Sequence, residues 1–248
     1  MIVLLLAVFV LGLYFRFPIA FSLGLSCLVY FIFSGTPMVV VPLKMYAGID
    51  VFILLSIPGF IIAGNLMNQG GLTDKIIDFC NHLLGHVRGG LSFVNISASM
   101  LFAGISGTAI SDTASLGAVM IPAMKKEGYD SDFSCAITAA SSTVGPIIPP
   151  SLPMIIAATL SGLSVGKLFL AGAIPGLLLG LGLMLVAYFV AKKKNYPKHP
   201  KSTPLQIFKS FTNTFWALLM TVIILFGIVG GVFTPTEASV VAVLYALF

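Results

Sequence analysis

The sequence predicts an all-α polytopic membrane protein in which two helices are interrupted at membrane depth. Hydrophobic residues make up 58% of its 248 residues, charged residues only 8%, and the mean hydropathy is +1.08. These values exclude a soluble domain with a polar surface. The net charge of +5 does not indicate nucleic-acid binding, because six of the thirteen basic residues lie in one loop and the basic residues are not interleaved with aromatic residues. The three scattered cysteines indicate neither a disulfide framework nor a metal site.

Eight apolar segments follow one another along the chain. Several are shorter than the roughly 20 residues that cross a hydrocarbon core of about 30 Å, so we expect their flanks to enter the membrane or the bilayer to thin locally. The first segment has no basic region and no small-residue cleavage signal, which predicts a retained helix. The segments are 2–15, 18–33, 51–67, 91–124, 133–160, 168–191, 211–232 and 238–248.

The segment 91–124 is too long for one membrane helix. It contains 34 residues, of which only Asp112 is charged, and as one helix it would extend about 51 Å at 1.5 Å per residue. A break at Gly104-Ile-Ser-Gly-Thr108 would instead give two arms of roughly 20 Å that reach the middle of the bilayer. The segment therefore predicts a re-entrant helical hairpin.

A second interruption is predicted at 141–153, Ser-Ser-Thr-Val-Gly-Pro-Ile-Ile-Pro-Pro-Ser-Leu-Pro. Four prolines remove backbone donors and free the carbonyl groups of the preceding turn, and Gly145 allows a sharp bend. A lone proline is usually a kink, but four within eight positions favour a site. A bilayer tolerates irregular backbone only where it is buried in protein or lines a cavity, so paired interruptions are typical of the ion and substrate site of a secondary transporter.

The distribution of basic residues supports the hairpin. With the N-terminus outside and the hairpin counted as no net crossing, Lys44 and Lys167 lie outside and the other eleven basic residues inside, a strong positive-inside bias. A full crossing at 91–124 would destroy this bias. The eleven are Arg16, Lys75, Arg88, Lys125, Lys126, Lys192, Lys193, Lys194, Lys198, Lys201 and Lys209.

Two further patterns concern architecture. Between 71 and 90, apolar residues recur at helical spacing opposite charged ones, which predicts an amphipathic interfacial helix. This helix either anchors the protein or braces a moving domain.

The beginning of the chain and 211–238 also share a pattern: an apolar run, a short polar break and a following segment that begins near a proline. Five net crossings separate the two copies, so the second would enter the membrane inverted, as in many secondary transporters.

Four motifs, at 104–112, 120–130, 139–153 and 233–238, resemble the large membrane subunit of tripartite ATP-independent periplasmic (TRAP) transporters, in the right order over the whole chain. The resemblance implies an elevator fold of the ion-transporter superfamily with inverted repeats, in the bacterial inner membrane. It also implies sodium-coupled import of an organic acid such as sialic acid or a C4-dicarboxylate. The implied partners are a small membrane subunit and a periplasmic substrate-binding protein.

Family members carry a complete second repeat, whereas this chain stops at Phe248, eleven residues after Glu237; we therefore expect a fragment or a shortened product. The N-terminus is expected to be periplasmic and the basic loop 192–209 cytoplasmic, where it can contact anionic lipid. The expected organisation is scaffold helices at 1–70, an interfacial arm helix at 71–90, the transport-domain hairpin and interrupted helix at 91–165, a transmembrane helix with the basic loop at 166–210, and the start of the second repeat at 211–248.

Sodium is a hard cation that prefers oxygen ligands, which unwound carbonyls and hydroxyls supply. By resemblance to the first sodium site of the family, we expect as ligands the Ser106 hydroxyl and backbone oxygens of Ala103, Gly145, Ile148 and Pro150. Residue 103 departs from the serine expected there, so only its carbonyl could serve. No organic cofactor and no transition metal are expected.

A substrate carboxylate is expected near the start of the helix after Gly107, where a positive helix terminus attracts anions. The residues expected to contact substrate are Gly107, Thr108, Ala109, Asp112, Ser142 and Thr143.

Some of these residues have structural explanations. Ser142 and Thr143 could serve close packing. Asp112 could be a sodium or proton partner, or could stabilise the first turn of its helix. Glu237 is predicted to be structural, in a capping box with Thr234.

A binding-protein-independent sodium-coupled anion transporter of the same superfamily is the alternative function. A membrane enzyme is disfavoured, because no histidine lies in the interrupted segments to serve as a base or ligand.

Overall fold

The computed structural model describes residues 1–247, and every regular element in that part of the chain is a helix. The chain forms two compact units, Met1–Val51 and Phe52–Phe248. A short 3-10 helix, Phe52–Leu55, opens the second unit. The α-helices are α1 (Ile2–Tyr14), α2 (Ile19–Ser34), α3 (Val40–Ile49), α4 (Ser56–Gln69), α5 (Leu72–Leu84), α6 (Gly90–Ser106), α7 (Ala109–Lys126), α8 (Ser131–Ser142), α9 (Leu152–Ser161), α10 (Val165–Lys194), α11 (Pro204–Val229) and α12 (Pro235–Leu247).

In the first unit, α1 and α2 pack closely where Gly12 faces Ser22, since a Cβ atom at Gly12 would lie 2.7 Å from the Ser22 hydroxyl oxygen. Helix α3 lies in a stretch that the predicted apolar segments leave out. Pro42 and Lys44 interrupt its apolar pattern, but Pro42 lies in the first turn, where the missing N–H costs no helical hydrogen bond.

Three helical segments in the described residues are long and apolar enough to cross a membrane: Phe52–Gln69, Val165–Lys194 and Pro204–Val229. The predicted basic loop 192–209 is shorter in the structure. Lys192, Lys193 and Lys194 form the last turn of α10, where cations favour the helix dipole. Helix α11 begins at Pro204 after a Thr203–Gln206 capping box, so Lys209 is helical.

The amphipathic pattern in 71–90 corresponds to α5, which packs against α6 and α11. Ile76 and Cys80 are fully buried in this contact, and the Thr214 hydroxyl of α11 donates to the Lys75 carbonyl at 3.0 Å. Much of the apolar face of α5 is therefore covered by protein. Whether the helix also lies along a membrane interface stays a prediction.

Helix α12 packs against α4, and Ser239 lies directly against Gly59. The predicted capping box at its start is confirmed. Thr234 donates its backbone N–H to the Glu237 carboxylate at 2.8 Å, and the Glu237 N–H returns to the Thr234 hydroxyl at 3.3 Å. The start of α12 is thereby fixed by local hydrogen bonds.

The hydrophobic core of the second unit surrounds the two interrupted segments. Helices α6, α7 and α8 pack on one another, and α10 covers α6 and α9. Phe102, Ile105, Leu116 and Ile155 are completely or almost completely buried. This core fixes the ends of α6 and α9, where the breaks lie.

Candidate functional site at the two helix breaks

The segment 91–124 forms two helices, as predicted, but the break is shorter than expected. Helix α6 continues through Ser106, and only Gly107 and Thr108 separate it from α7. Gly107 has φ +62°, a left-handed conformation that favours glycine, and its N–H donates to the Ala103 carbonyl at 3.1 Å. Thr108 is extended and caps α7, with its hydroxyl accepting from the Ser111 N–H at 3.2 Å.

Gly104 belongs to α6 and serves a different purpose. The Thr221 side chain of α11 lies against it, and the Thr221 hydroxyl donates to the Gly104 carbonyl at 3.0 Å. A side chain at position 104 would occupy the place of Thr221. The glycine therefore permits the contact between α6 and α11, and the helix does not break there.

The second break, between α8 and α9, is a series of tight turns. The N–H groups of Gly145 and Ile148 donate to the carbonyls of Ser142 and Val144 at 3.1 and 2.9 Å. Ser151 caps α9 by accepting from the Met154 N–H at 3.3 Å, and its hydroxyl donates to the Pro146 carbonyl at 2.5 Å. The break thus has a defined conformation built from its own backbone.

The two breaks are in direct contact. The Leu152 N–H donates to the Gly107 carbonyl at 3.3 Å. A Cβ atom on Gly107 would lie 2.6 Å from the Pro150 carbonyl oxygen, and one on Gly145 would lie 3.3 Å from the Thr108 carbonyl carbon. Both glycines are needed for this approach, because a side chain at either position would push the two breaks apart.

Asp112 lies in the first turn of α7 and is fully buried. The Ser106 hydroxyl donates to its Oδ1 atom. Its Oδ2 atom has no hydrogen-bond partner, and it faces Gly145, where a Cβ atom would lie only 2.7 Å away. The carboxylate therefore projects from the hairpin toward the second break.

The residues predicted as sodium ligands lie on both sides of this contact. The backbone carbonyls of Gly145, Ile148 and Pro150 accept no hydrogen bond from another described residue, whereas the Ala103 carbonyl accepts one from Gly107. Free carbonyls beside a hydroxyl and a carboxylate form the kind of oxygen set that suits a hard cation. The ligand assignment itself stays a prediction.

Apart from Asp112, described above, the residues predicted to contact substrate fall into two groups. Thr108 lines a small cavity of about 60 Å³ with Ser106 and Ser111, and Gly107 and Ala109 flank Thr108 in the chain. Ser142 and Thr143 instead turn their hydroxyls back to α8, where they donate to the carbonyls of Thr138 and Ala140 at 2.8 and 2.7 Å. Their assignment to substrate stays a prediction.

Sequence reasoning missed the contribution of α4. Ile61, Gly64 and Asn65 complete the lining of the small cavity, and a Cβ atom on Gly64 would lie 3.4 Å from the Ile105 carbonyl. Nearby, the Asn68 amide donates to the Ser115 hydroxyl of α7 at 2.9 Å. The asparagines within the apolar sequence of α4 were the signal that could have indicated this contribution.

A ladder of polar side chains between α6 and α8 was also missed. The Asn95 amide donates to the Thr138 hydroxyl at 2.7 Å, and the hydroxyls of Ser99 and Ser141 share a hydrogen bond of 2.9 Å. All four side chains are fully buried. The ladder joins the helix that enters the first break to the helix that enters the second.

A model of the family described as "Tripartite ATP-independent periplasmic transporter, DctM component" matches residues 6–248. The chain belongs to the TRAP transporter large-subunit family. This is a family of transporter permeases and not of enzymes. Family membership and the apolar helices together show that the protein is a helical membrane protein.

Three relatives illustrate the family. The sialic acid TRAP transporter large permease protein SiaM of Vibrio cholerae is 46% identical over 240 residues, covering 96% of this chain and 56% of SiaM. The 2,3-diketo-L-gulonate TRAP transporter large permease protein YiaN of Escherichia coli is 45% identical, covering 81% of this chain and 47% of YiaN. The C4-dicarboxylate TRAP transporter large permease protein DctM of Pseudomonas aeruginosa is 42% identical, covering 92% of this chain and 53% of DctM. The chain spans about half the length of these relatives.

Proposed function

We propose that the chain forms part of the large permease subunit of a sodium-coupled, binding-protein-dependent secondary transporter. The transporter imports a small organic acid of the sialic acid or C4-dicarboxylate class by an elevator mechanism. The observation that carries the proposal is the direct contact between the two breaks, where the Leu152 N–H meets the Gly107 carbonyl. Paired interruptions that meet are the form in which secondary transporters build ion and substrate sites.

Sodium suits the chemistry of the residues at this contact. Gly145, Ile148 and Pro150 offer carbonyl oxygens that accept no hydrogen bond from described residues, and Ser106 offers a hydroxyl. Such oxygens can replace the hydration shell of a hard cation. In this proposal sodium is a co-transported substrate, and its binding holds the two breaks together.

An organic anion suits the starts of the helices that follow the breaks. Helices α7 and α9 both begin there, and the start of each helix dipole carries a partial positive charge that attracts anions. The names of the relatives mention sialic acid, C4-dicarboxylate and 2,3-diketo-L-gulonate, which favours a small organic acid as the substrate class.

Family membership favours a tripartite system over the binding-protein-independent alternative. The proposed partners are a small membrane subunit and a periplasmic substrate-binding protein. The proposed location is the bacterial inner membrane, with the N-terminus in the periplasm and the basic segment after α10 in the cytoplasm, because the basic residues then satisfy the positive-inside rule.

Sodium-dependent uptake into proteoliposomes tests the proposal, using the complete natural polypeptide with its two partners. An inward sodium gradient should drive uptake, and Ser106→Ala should reduce it by roughly tenfold or more, the scale of effects at metal ligands and their supports. The matched control is Ser161→Ala, because the exposed Ser161 hydroxyl donates only within its own helix, to the carbonyls of Ala157 and Ala158. Uptake that ignores the sodium gradient, or that is equal in the two variants, would contradict the proposed coupling.

A further inference from the structure

We infer that Thr221 of α11 and Asn68 of α4 form a latch that holds the hairpin of α6 and α7 in the position of this structure. The inference rests on the proposed function, in which the hairpin moves relative to the helices around it. Both side chains come from outside the hairpin, and each makes one hydrogen bond to it. They are positioning residues, because they act on the place of the hairpin and not as ligands.

The first latch bond completes the end of α6. A helix leaves its last carbonyl groups without donors from its own backbone, and α6 ends at Ser106. The next N–H that could reach the Gly104 carbonyl belongs to Thr108, and it donates to the Ser106 hydroxyl oxygen at 3.4 Å instead. The Gly104 carbonyl accepts from the Thr221 hydroxyl at 3.0 Å. A neighbouring helix thus supplies a donor that α6 itself lacks.

The second latch bond joins α4 to α7. The Asn68 amide group donates to the Ser115 hydroxyl at 2.9 Å, and the Asn68 side-chain oxygen accepts from the Thr73 hydroxyl at 2.6 Å. Thr73 is buried in the first turn of α5. Because Thr73 occupies the oxygen of the amide, the N–H groups are directed at the hairpin. The Asn68 side chain is therefore oriented from one side and bonded to Ser115 on the other.

Glycines allow the hairpin to approach both helices closely. A Cβ atom on Gly104 would lie 2.5 Å from the Thr221 methyl carbon, and one on Gly64 of α4 would lie 3.4 Å from the Ile105 carbonyl oxygen. Apolar contact is not directional, whereas a hydrogen bond requires a narrow range of distance and angle. In an interface with small residues at its points of closest approach, the two latch bonds therefore select one position.

The hydrogen bonds of the hairpin divide into two sets. Toward α8 and the second break it has the buried ladder and the backbone bond from Leu152 to Gly107. Toward α4 and α11 it has, within the described residues, only the two latch bonds. Helix α5 is bonded to α11, through two further side-chain hydrogen bonds. A hairpin that moves together with α8 can therefore leave α4 and α11 by breaking two hydrogen bonds.

Breaking either latch bond has an energetic cost. The Gly104 carbonyl and the Asn68 amide would lose their partners in a region with little water to replace them. One such hydrogen bond, at its typical net value, changes an equilibrium between two positions by roughly fivefold. The latch thus sets the fraction of time that the hairpin spends in the position seen here, which we call docked.

Pulsed EPR distance measurements test the latch on the complete natural polypeptide with its two partners in lipid nanodiscs. Nitroxide labels are placed at Ile110 in the hairpin and Phe208 in α11, which are 85% and 65% exposed, after replacement of the exposed Cys27 and Cys135. Phe208 lies about 20 Å along α11 from Thr221, so movement of the hairpin changes the distance between the labels. Wild type should show a docked and a displaced component. Thr221→Val should lower the docked-to-displaced ratio by roughly fivefold.

Two variants control for Thr221→Val. Thr221→Ser keeps the hydroxyl and should retain the wild-type ratio. Thr212→Val makes the same substitution in the same helix, where the exposed Thr212 hydroxyl donates only to the Lys209 carbonyl, and it should also retain the ratio. An unchanged ratio in Thr221→Val, or an equal loss in Thr221→Ser, would overturn the role of the Thr221 hydroxyl.

A substitution on the hairpin side covers the case in which Thr221→Val does not fold. Ser115→Ala removes the acceptor of the Asn68 amide and should lower the docked-to-displaced ratio. Thr113→Ala is its control in α7, because the exposed Thr113 hydroxyl donates only to the Ala109 carbonyl of its own helix. Equal ratios in Ser115→Ala and Thr113→Ala would overturn the second latch bond.

A separate measurement isolates the proposed function. The midpoint of thermal unfolding of the purified protein is recorded as NaCl replaces choline chloride at constant ionic strength, and the sodium affinity follows from its rise. A wild type that sodium does not stabilise would overturn sodium coupling and leave the latch intact. A single label distance under all conditions would overturn both the elevator movement and the latch. Two components whose ratio ignores Thr221 and Ser115 would overturn the latch alone.

Discussion

Two buried polar regions of the second unit differ in how their oxygens are paired. In the ladder between α6 and α8, Asn95 donates to Thr138 and Ser99 bonds to Ser141, so the polar groups mainly satisfy one another. At the helix breaks, Asp112 Oδ2 and several backbone carbonyls accept no hydrogen bond from described residues. Burial and polarity are common to both regions, and the unpaired carboxylate and carbonyl oxygens distinguish the helix breaks.

One atom of the ladder, Asn95 Oδ1, also lacks a partner. It belongs to a neutral amide, whose burial costs far less than that of a carboxylate. The comparison therefore depends on charge as well as on pairing. We interpret the ladder as a structural link and the breaks as a binding site, and the following substitutions test that distinction.

The largest effect is expected from Gly107→Ala at the contact between the breaks. The left-handed backbone there costs a non-glycine residue roughly 1–2 kcal/mol, and the new Cβ atom would lie 2.6 Å from the Pro150 carbonyl oxygen. We expect a lower free energy of unfolding and loss of sodium-dependent uptake.

Gly162→Ala is the control for Gly107→Ala. Gly162 ends α9 with a similar φ of +69°, but a Cβ atom there would meet nothing within 4 Å. Gly162→Ala should lower the free energy of unfolding only by the cost of the left-handed backbone, and sodium-dependent uptake should be retained. If the two variants have equal stability and uptake, the close approach of the breaks has no functional importance.

The ladder should show the opposite behaviour. Thr138→Val removes the acceptor of the Asn95 amide, and leaving a buried donor unpaired costs about 1–3 kcal/mol. We expect a lower free energy of unfolding in SDS micelles, with sodium affinity unchanged.

Asn95→Leu combined with Thr138→Val removes both partners, which is often nearly neutral, so the double variant should recover part of the lost stability. A change in sodium affinity in either variant would show that the ladder belongs to the binding site, and the contrast between the two regions would fail.

The sequence predicted the two breaks because glycine and proline act locally on the backbone. It could not distinguish Gly104 from Gly107, which are three positions apart, since only the packing of Thr221 shows that Gly104 serves a helix contact. The ladder was missed for the same reason, because its Asn95–Thr138 pair joins residues 43 positions apart. Contacts between residues distant in sequence, and not residue type, distinguish structural residues from predicted site residues here.

A third polar cluster, exposed to water, completes the comparison. Lys194 lies 2.9 Å from the Asp130 carboxylate, and the Tyr196 hydroxyl donates to it at 3.0 Å. The hydrogen bond from Lys194, and then that from Tyr196, lowers the pKa of Asp130 from its ordinary value. Ionised Asp130 therefore stabilises the folded protein at pH values above that ordinary value, and this contribution is lost as the pH falls through the lowered pKa.

Asp130→Asn should accordingly reduce the Tm at neutral pH by a few degrees at most, because exposed ion pairs are screened by water and salt. The difference from wild type should disappear in acid and shrink at high salt. Asp132→Asn removes the same charge but no ion pair among the described residues, and it is the control for the salt response. A deficit that persists in acid would mean that the Asp130 side chain acts through packing. Because Lys194 already pairs with the Asp130 carboxylate, neither variant should alter the response to sodium, which is the smallest effect that the comparison predicts.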